Sequence, residues 1–295
     1  MHYNSCRNDS TRSGYSRLST PPPATPPEII DVGVNLAHDS FDHDRALVVR
    51  EAERAGVSRM VITGSSVAST RTAIDMVKSD PARFRCTAGV HPHHAADLDT
   101  PQLLELQDLA RHPEVAAVGE CGLDYFRNFS PREAQLRAFE AQLELAVALQ
   151  KPVFLHQRDA HGDFLAILRE HRPRLAGGVA HCFTDGLAQA EAYLALDLYI
   201  GVTGWICDER RGLHLREVVR ELPAERLVIE TDAPYLLPRD LVPRPKSRRN
   251  EPKYLPNVLQ AVARARGEPV AVLAAVTTHN ALTLFRWRDP APASQ

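Results

Sequence analysis

The sequence predicts one α/β domain, a (β/α)8 TIM barrel, and three observations support this fold class. The chain has 295 residues, enough for a barrel of about 250 residues with a short extension. From Glu28 onward, short β-branched runs alternate with longer amphipathic segments, as in repeated β/α units around a parallel sheet. Eight such units are present, and most of the short runs end in a polar or ionisable residue.

The strands are predicted from apolar, β-branched runs that are bounded by loop residues. In chain order they span Ile29 to Asn35, Arg59 to Thr63, Phe84 to Val90, Val115 to Glu120, Val153 to His156, Gly178 to His181, Tyr199 to Thr203 and Leu227 to Glu230. We expect the barrel domain to occupy residues 28 to 288, with a C-terminal tail at 289 to 295.

Helices are predicted between and after these strands. In Arg132 to Leu149, apolar residues recur at spacings of three and four and form one stripe, which is typical of a helix packed on a barrel. The last two segments, Tyr254 to Ala265 and Pro269 to Phe285, have compositions that favour helix. We expect these two helices to close the barrel.

The first 27 residues differ in composition from the rest of the chain. They are rich in Ser, Thr, Arg and Pro and end in PPPATPP, so they lack the apolar side chains that offset the entropy of folding. We expect disorder in this segment. An organellar transit peptide is an alternative for an Arg-rich leader, but an incidental extension is the preferred interpretation.

Neither a membrane segment nor a disulfide framework is indicated. No apolar run approaches the roughly 18 residues that span a bilayer. The five cysteines are widely spaced and form no C-x-x-C pair, so a zinc knuckle is not suggested either. We therefore expect a cytoplasmic, monomeric protein with reduced thiols and no membrane partner.

The overall charge excludes one class of nucleic-acid-binding protein. Proteins that coat nucleic acid carry a strong basic excess, whereas the formal net charge here is −2. Between Arg239 and Lys253, however, six basic residues accompany only two acidic ones. Such a run alone is usually a solvated surface, but its position directly after the last strand favours contact with a polyanion.

Polar and ionisable residues stand where the predicted strands end. They are Asn35, His91, Glu120, His156, His181 and Asp232. In a parallel barrel all strand carboxyl ends lie on one face, where active sites are found, so these side chains should converge. A single histidine at such a place is more often structural, but three with a Glu and an Asp on one rim are hard to explain structurally.

Such a cluster indicates a divalent metal. Carboxylates and imidazoles gathered in a half-buried mouth carry a large desolvation and repulsion cost unless a cation satisfies them. Zinc and manganese accept mixed ligands and magnesium prefers oxygen, so the ligand types alone do not select the ion. A metal here would activate water and polarise a phosphoryl or carbonyl oxygen, which predicts a hydrolase. No P-loop, dinucleotide fingerprint or G-x-S-x-G elbow competes with this interpretation.

The strings that surround these residues resemble a known family. In order they are DVGVNL at Asp31, TAGVHPH at Thr87, GECGLDY at Gly119, PVFLHQRDA at Pro152, HCFTD at His181, GVTGWICDERRG at Gly201, ETDAPYL at Glu230 and SRRNEP at Ser247. Together they resemble the successive signatures of the TatD-related metal-dependent DNases, from about Asp31 to Phe285. Singly each string is a weak signal, but in this order they are specific.

The resemblance implies roles for the strand-end residues. Glu120, His156 and His181 would bind the catalytic divalent metal, with magnesium the expected ion and manganese or zinc as alternatives. Asp232 would be the catalytic carboxylate, as a further metal ligand or as the base that takes the proton from water. His91 and His93 lie in the family's GVHPH loop, where contact with the substrate phosphate is expected.

The implied activity is 3′-to-5′ exonuclease action on single-stranded DNA, or on RNA, in DNA repair or degradation. Several residues in predicted rim loops suit a single strand, because guanidinium groups bind phosphates and aromatic rings stack on bases. We expect substrate contacts from Arg158, Trp205, Arg248 and Arg249, with Arg210 and Arg211 nearby and Tyr125 or Phe126 as further stacking candidates.

One departure from many relatives concerns a second metal. Those relatives begin with D-x-H-x-H, whereas Gly33 and Asn35 stand at the matching histidine positions here. Glycine offers no ligand and asparagine only a neutral oxygen. We therefore expect one firmly bound ion with at most a weaker second one, as in the TatD subgroup itself.

Three alternatives remain open at the level of sequence. The first is another metal hydrolase, either an aminoacyl-tRNA deacylase or an amidohydrolase, although the absent D-x-H-x-H and the Glu at the fourth strand end argue against an amidohydrolase. The second is a non-catalytic nucleic-acid-binding module, which the complete Glu120, His156, His181 and Asp232 set disfavours. The third is an accessory to protein export, which would require a membrane segment or amphipathic anchor that the sequence does not indicate.

Overall fold

The computed structural model of the protein describes Met1 and residues 26–287. Within this part of the chain, eight parallel strands follow one another around a barrel in sequence order. The strands are β1 Ile29–Val34, β2 Val57–Ile62, β3 Phe84–Ala88, β4 Val115–Asp124, β5 Val153–Arg158, β6 Gly178–Ala180, β7 Tyr199–Val202 and β8 Leu227–Ile229. The predicted TIM barrel is confirmed, whereas the expectations for residues 2–25 and 289–295 lie outside the described residues.

Helices follow the strands and form the outer layer. They are α1 Arg45–Arg54, α2 Val67–Ser79, α3 Thr100–Ala110, α4 Arg132–Leu149, α5 His161–His171, α6 Leu187–Leu194, α7 Leu213–Glu221, α8 Leu255–Arg266 and α9 Val270–Leu284. The helix α4 has the predicted bounds. None of the helices in the described residues is long and apolar enough to cross a membrane.

Hydrogen bonds from both side chains and backbone join the segment after β8 to β1 and so close the barrel. The buried Asp31 accepts hydrogen bonds from the backbone N–H of Thr231 at 2.9 Å and from its hydroxyl at 2.5 Å. The Asp232 N–H donates to the Gly33 carbonyl at 2.8 Å. These bonds fix the segment after β8, and with it Asp232, against the first strand.

Strands β4 and β5 are longer than the sequence indicated. Beyond Glu120 and His156 they continue to pair with one another, through Leu123 with Gln157 and Asp124 with Arg158. Close approach of the two strands requires glycine at position 122, because φ is +145° there and a Cβ would overlap the His156 carbonyl. The extension carries Asp124 and Arg158 to the mouth of the barrel.

The opposite end of the barrel is closed by the chain after α9. Phe285 and Trp287 are buried against inward-facing strand residues such as Val32 and Val61. Arg85, near the start of β3, lies with its guanidinium carbon 5.0 Å from the centre of the Trp287 ring. The barrel is therefore packed at its floor, and its carboxyl-end mouth is left for the polar cluster.

Candidate active site

A cleft of about 640 Å³ opens at the carboxyl ends of the strands. Most of the residues that the sequence assigned to a site line this cleft, namely Asn35, His91, His93, Glu120, His156, Arg158, His181, Trp205 and Asp232. Arg248 and Arg249 are not among its lining residues. The barrel therefore brings together groups that are separated by more than a hundred positions in sequence.

The Glu120 carboxylate lies at the centre of three imidazoles. Its Oε1 is 3.3 Å from His91 Nε2 and 3.0 Å from His156 Nδ1. It is also 3.3 Å from His181 Nε2. Glu120 and His156 lie in β4 and β5, His181 directly follows β6, and His91 lies in the loop after β3, so the cluster depends on closure of the barrel.

A second buried carboxylate, Glu230, orients His181. Its Oε2 lies 2.9 Å from His181 Nδ1, and its Oε1 accepts a hydrogen bond from the Cys182 N–H at 2.5 Å. A carboxylate on one imidazole nitrogen fixes the ring and leaves the other nitrogen free to face a ligand. The sequence interpretation gave Glu230 no role, although it immediately precedes Thr231 and Asp232.

Asp124 plays a comparable part for His156, and the sequence interpretation missed it as well. Its Oδ2 lies 2.8 Å from His93 Nε2 and 3.3 Å from His156 Nε2. The signal was present in the period of two along a strand, since Glu120, Gly122 and Asp124 share one face of β4. Ending the predicted strand at Glu120 hid this pattern.

The histidines and carboxylates strongly perturb each other. Burial alone would raise the pKa of Glu120, but His91, His181 and His156 outweigh it and hold the pKa well below its ordinary value. Burial also opposes the charged form of His181, yet Glu230 and Glu120 raise its pKa well above the usual range. The cluster therefore holds its carboxylate ionised beside strongly polarised imidazoles.

Asp232 has the opposite character. Burial raises its pKa to about 7, and the nearby carboxylates of Glu120 and Glu230 add to the rise, while His181 works against it. Its Oδ1 accepts a hydrogen bond from the Asn35 side-chain amide at 3.0 Å. Asp232 is therefore a carboxyl group whose charged form is disfavoured by its own surroundings.

This donor set fits a divalent cation. One group that could hold an ion comprises His91, Glu120 and His156, and another comprises His181, Cys182 and Asp232. In each group the ligand atoms lie within 4.8 Å of one another. A cation between imidazoles and carboxylates would favour the charged form of Asp232, which burial and, to a lesser extent, Glu120 and Glu230 disfavour. The electrostatics and the ligand types agree on a divalent metal.

The space around Gly33 explains why glycine occupies this position. A Cβ at Gly33 would overlap Glu230 Oε2, and a Cβ at Gly201 would overlap Glu230 Oε1. The Glu230 carboxylate therefore occupies space that side chains at these two positions would need. A larger side chain at position 33 would have to displace the carboxylate that orients His181.

The predicted substrate contacts have different surroundings. Arg158 lies over the Phe126 ring, with 3.9 Å between its guanidinium carbon and the ring centre. Arg248 is exposed, whereas Arg249 pairs with both carboxylate oxygens of Asp44 at 2.9 and 2.6 Å. Arg249 thereby joins the basic loop after β8 to the loop before α1.

A TIM barrel with this pocket at its carboxyl end is the framework of a metal-dependent hydrolase. Active sites of such barrels are built from residues at several strand ends, as here. The imidazole and carboxylate donors suit a divalent ion. The fold and the donor set together define the class of protein.

Known proteins place the chain within this class. The family model described as TatD related DNase matches residues 30–286. The chain therefore belongs to the TatD-related DNase family. The 3′-5′ ssDNA/RNA exonuclease TatD of Pantoea vagans is 52% identical over 258 residues, which make up 88% of this chain and 99% of that protein.

Solved structures agree with the assignment. The TatD homologue YjjV from Escherichia coli has a TM-score of 0.81 at 28% identity, over 88% of this chain and 98% of that one. A hydrolase of the TatD family from Entamoeba histolytica has a TM-score of 0.79 at 26% identity, over 88% of this chain and 99% of that one. The barrel and its family are thus supported by both sequence and structure.

Proposed function

We propose that the protein is a magnesium-dependent 3′-5′ exonuclease that hydrolyses phosphodiester bonds of single-stranded DNA. The observation that carries this proposal is the Glu120 carboxylate among three imidazoles, in the same cleft as Asp232. The Pantoea vagans relative, named for this activity, matches nearly along its full length. We place the protein in the cytoplasm as a monomer that acts in DNA repair or degradation, with RNA as an alternative substrate.

Each residue has a part in the proposed reaction. Glu120, His156, His181 and Asp232 would hold the cation, and magnesium is proposed because two of these residues offer the oxygen ligands that it prefers. The bound ion would supply a Lewis acid for the phosphoryl oxygen. Asp232, which lines the same cleft, would accept the proton of the attacking water as general base.

Substrate binding is assigned to the rim of the cleft. Burial lowers the pKa of His91 to about 4. Its Nδ1 accepts the His93 N–H and its Nε2 lies 3.3 Å from Glu120, so contact of His91 with the substrate phosphate stays a prediction. His93, Arg158 and Trp205 line the same cleft and complete the proposed contacts. Arg248 would meet phosphates further along the strand, and substrate contact by Arg249 stays a prediction because Asp44 holds its guanidinium.

A nuclease assay tests the proposed activity and its metal dependence. It follows the length of oligonucleotides labelled at the 5′ end, first in EDTA and then after re-addition of magnesium, manganese or zinc. The wild-type protein is expected to shorten single-stranded DNA from its 3′ end, to stop with EDTA and to recover with magnesium. Persistent cleavage in EDTA would contradict the metal dependence. Ester-linked aminoacyl-tRNA in a parallel reaction separates this activity from deacylation.

The Asp232→Asn variant tests the proposed base. We expect turnover to fall at least about a hundredfold, the lower bound for loss of general-base assistance. The substitution keeps size and an oxygen toward Asn35, so circular dichroism should be unchanged. Asp108→Asn, at an exposed carboxylate on α3, is the matched control. An Asp232→Asn enzyme with wild-type turnover would rule out the proposed role.

A further inference from the structure

A pair of exposed aromatic rings stands beside the catalytic cleft. Phe126 and Phe129 lie in the loop between β4 and α4, with 54% and 68% of their surfaces exposed. Phenylalanine is usually buried, so two neighbouring exposed rings at the rim of a cleft indicate a binding surface. Phe129 lines the cleft itself, and its ring centre lies 4.8 Å from that of His93 in an edge-on arrangement.

The loop that carries these rings is held firmly. The Asp124 carboxylate that contacts His156 also accepts the Arg127 N–H at 2.8 Å. The Ser130 hydroxyl donates to the His93 carbonyl at 2.9 Å, and the buried Gln135 amide donates to the Ser130 carbonyl at 2.8 Å. The exposed rings are therefore positioned before any ligand arrives, and the same carboxylate links them to the candidate metal centre.

Two guanidinium groups lie against Phe126. The guanidinium of Arg158 lies over the Phe126 ring at 3.9 Å, and that of Arg127 lies 5.6 Å from it. Both arginines line the cleft. Apolar ring faces next to guanidinium groups match the alternation of bases and phosphates along a single strand.

We propose that Phe126 and Phe129, flanked by Arg127 and Arg158, form an aromatic platform that stacks unpaired bases next to the phosphodiester being cleaved. This inference rests on the proposed function. It adds the residues that determine the specificity of that function for single strands. A base within a duplex has its faces covered by its neighbours and its edge paired, so it cannot occupy the platform without leaving the stack. The platform thus makes the enzyme select single strands by the bases as well as by the backbone.

The test compares binding of an intact oligonucleotide with binding of an abasic one of equal length and charge. Fluorescence anisotropy is measured with Asp232→Asn as the background, so no turnover is needed. The intact strand should bind about tenfold more tightly, since stacking on an aromatic side chain is worth about that factor or more for each base. Phe129→Ala should reduce this ratio several-fold toward one, and Phe126→Ala should reduce it less, because Phe126 is outside the lining of the cleft.

Two further variants sharpen the result. Phe129→Trp keeps a stacking face and should preserve the ratio, which a merely structural role of phenylalanine would not explain. Leu104→Ala removes an equally exposed apolar side chain from α3, away from the cleft, and should also leave the ratio at the wild-type value.

The outcomes are distinguishable. If the Phe129→Ala protein keeps the full preference for intact strands, the inference of an aromatic platform is wrong, whatever the result of the nuclease assay. A wild-type protein that stacks bases but cleaves no phosphodiester would overturn the proposed function and leave the platform standing. Equal binding of intact and abasic strands by the parent protein overturns the inference directly.

Discussion

At the scale of single residues, the site depends on carboxylates that orient histidines. Glu230 is fully buried and holds His181 through one oxygen and the Cys182 N–H through the other. Its negative charge is one of the main reasons why the pKa of His181 is raised. This arrangement makes the His181 nitrogen that faces Glu120 a better donor to a cation.

Glu230→Gln should weaken divalent-metal binding about 10–100-fold, as found when such orienting partners are lost. The amide keeps the shape of the side chain but removes the charge that polarises His181. Isothermal titration with manganese measures the change directly. Glu221→Gln, at an exposed carboxylate at the end of α7, serves as the control. Unaltered manganese affinity in Glu230→Gln would show that His181 does not need its partner.

The strand-end residues could be predicted from the sequence because a parallel barrel sends all its strand carboxyl ends to one face. Glu120, His156, His181 and Asp232 line the cleft for this reason. The orienting carboxylates could not be assigned in the same way. Whether Asp124 or Glu230 faces an imidazole depends on how far β4 continues and on the empty space beside glycines, which are properties of packing.

At the scale of elements, Arg249 joins two loops on the rim of the barrel. Besides Asp44 it contacts the Ser40 carbonyl at 2.6 Å and Glu251 at 3.0 Å. Its guanidinium also lies 5.0 Å from the centre of the buried Phe41 ring. The basic loop after β8 is therefore fastened to the segment that leads into α1.

Arg249→Met should lower the free energy of unfolding by about 1 kcal/mol at pH 7, a value reduced from that of a buried charged bond because Asp44 is about one-third exposed. Hydrogen bonding from Arg249 lowers the pKa of Asp44 in the folded protein. This stabilisation is therefore present above the ordinary pKa of an aspartate and is lost as the pH falls through the lowered value.

Urea unfolding of wild type and variant at pH 7, 5 and 3 measures the effect. The difference between the two proteins should be the same at pH 7 and 5 and should shrink at pH 3 or below. Arg111→Met, which removes a pair with Asp108 between exposed side chains at the end of α3, provides a comparison with little expected effect. A difference that grows on acidification would contradict the assigned pair.

The order and type of the elements followed from the sequence, but some lengths did not. The stripe of α4 fixed that helix from Arg132 to Leu149. For β4 and β5, the added residues pair only with each other, and glycine at position 122 permits the contact. A local pattern cannot show such pairing, because it requires knowing which strand lies alongside.

At the scale of the whole molecule, the apolar floor and the candidate active site lie at opposite ends of the barrel. Trp287 and Phe285 pack into the floor against residues from several strands. The carboxylates and histidines lie at the mouth. Changes at the floor should therefore affect folding of the entire barrel with little effect on the chemistry of the folded protein.

Trp287→Ala should destabilise the protein by about 3 kcal/mol through the cavity that it leaves. For a domain of this size, that corresponds to a melting temperature lower by about 6–12 °C. Calorimetry measures the shift, and kcat on single-stranded DNA at 20 °C should stay within about twofold of wild type. Val272→Ala, at an exposed position on α9, is the control. A large loss of kcat without loss of stability would disprove the separation of the two ends.

Glu230, between Gly33 and Gly201, limits which side chains these two positions accept. A Cβ at either position would meet one of the Glu230 carboxylate oxygens, so a larger residue there would have to displace that carboxylate. Displacement would also take the carboxylate from His181 Nδ1 and from the Cys182 N–H. A methyl group added at position 33 would therefore act on the candidate metal centre through an imidazole on another strand.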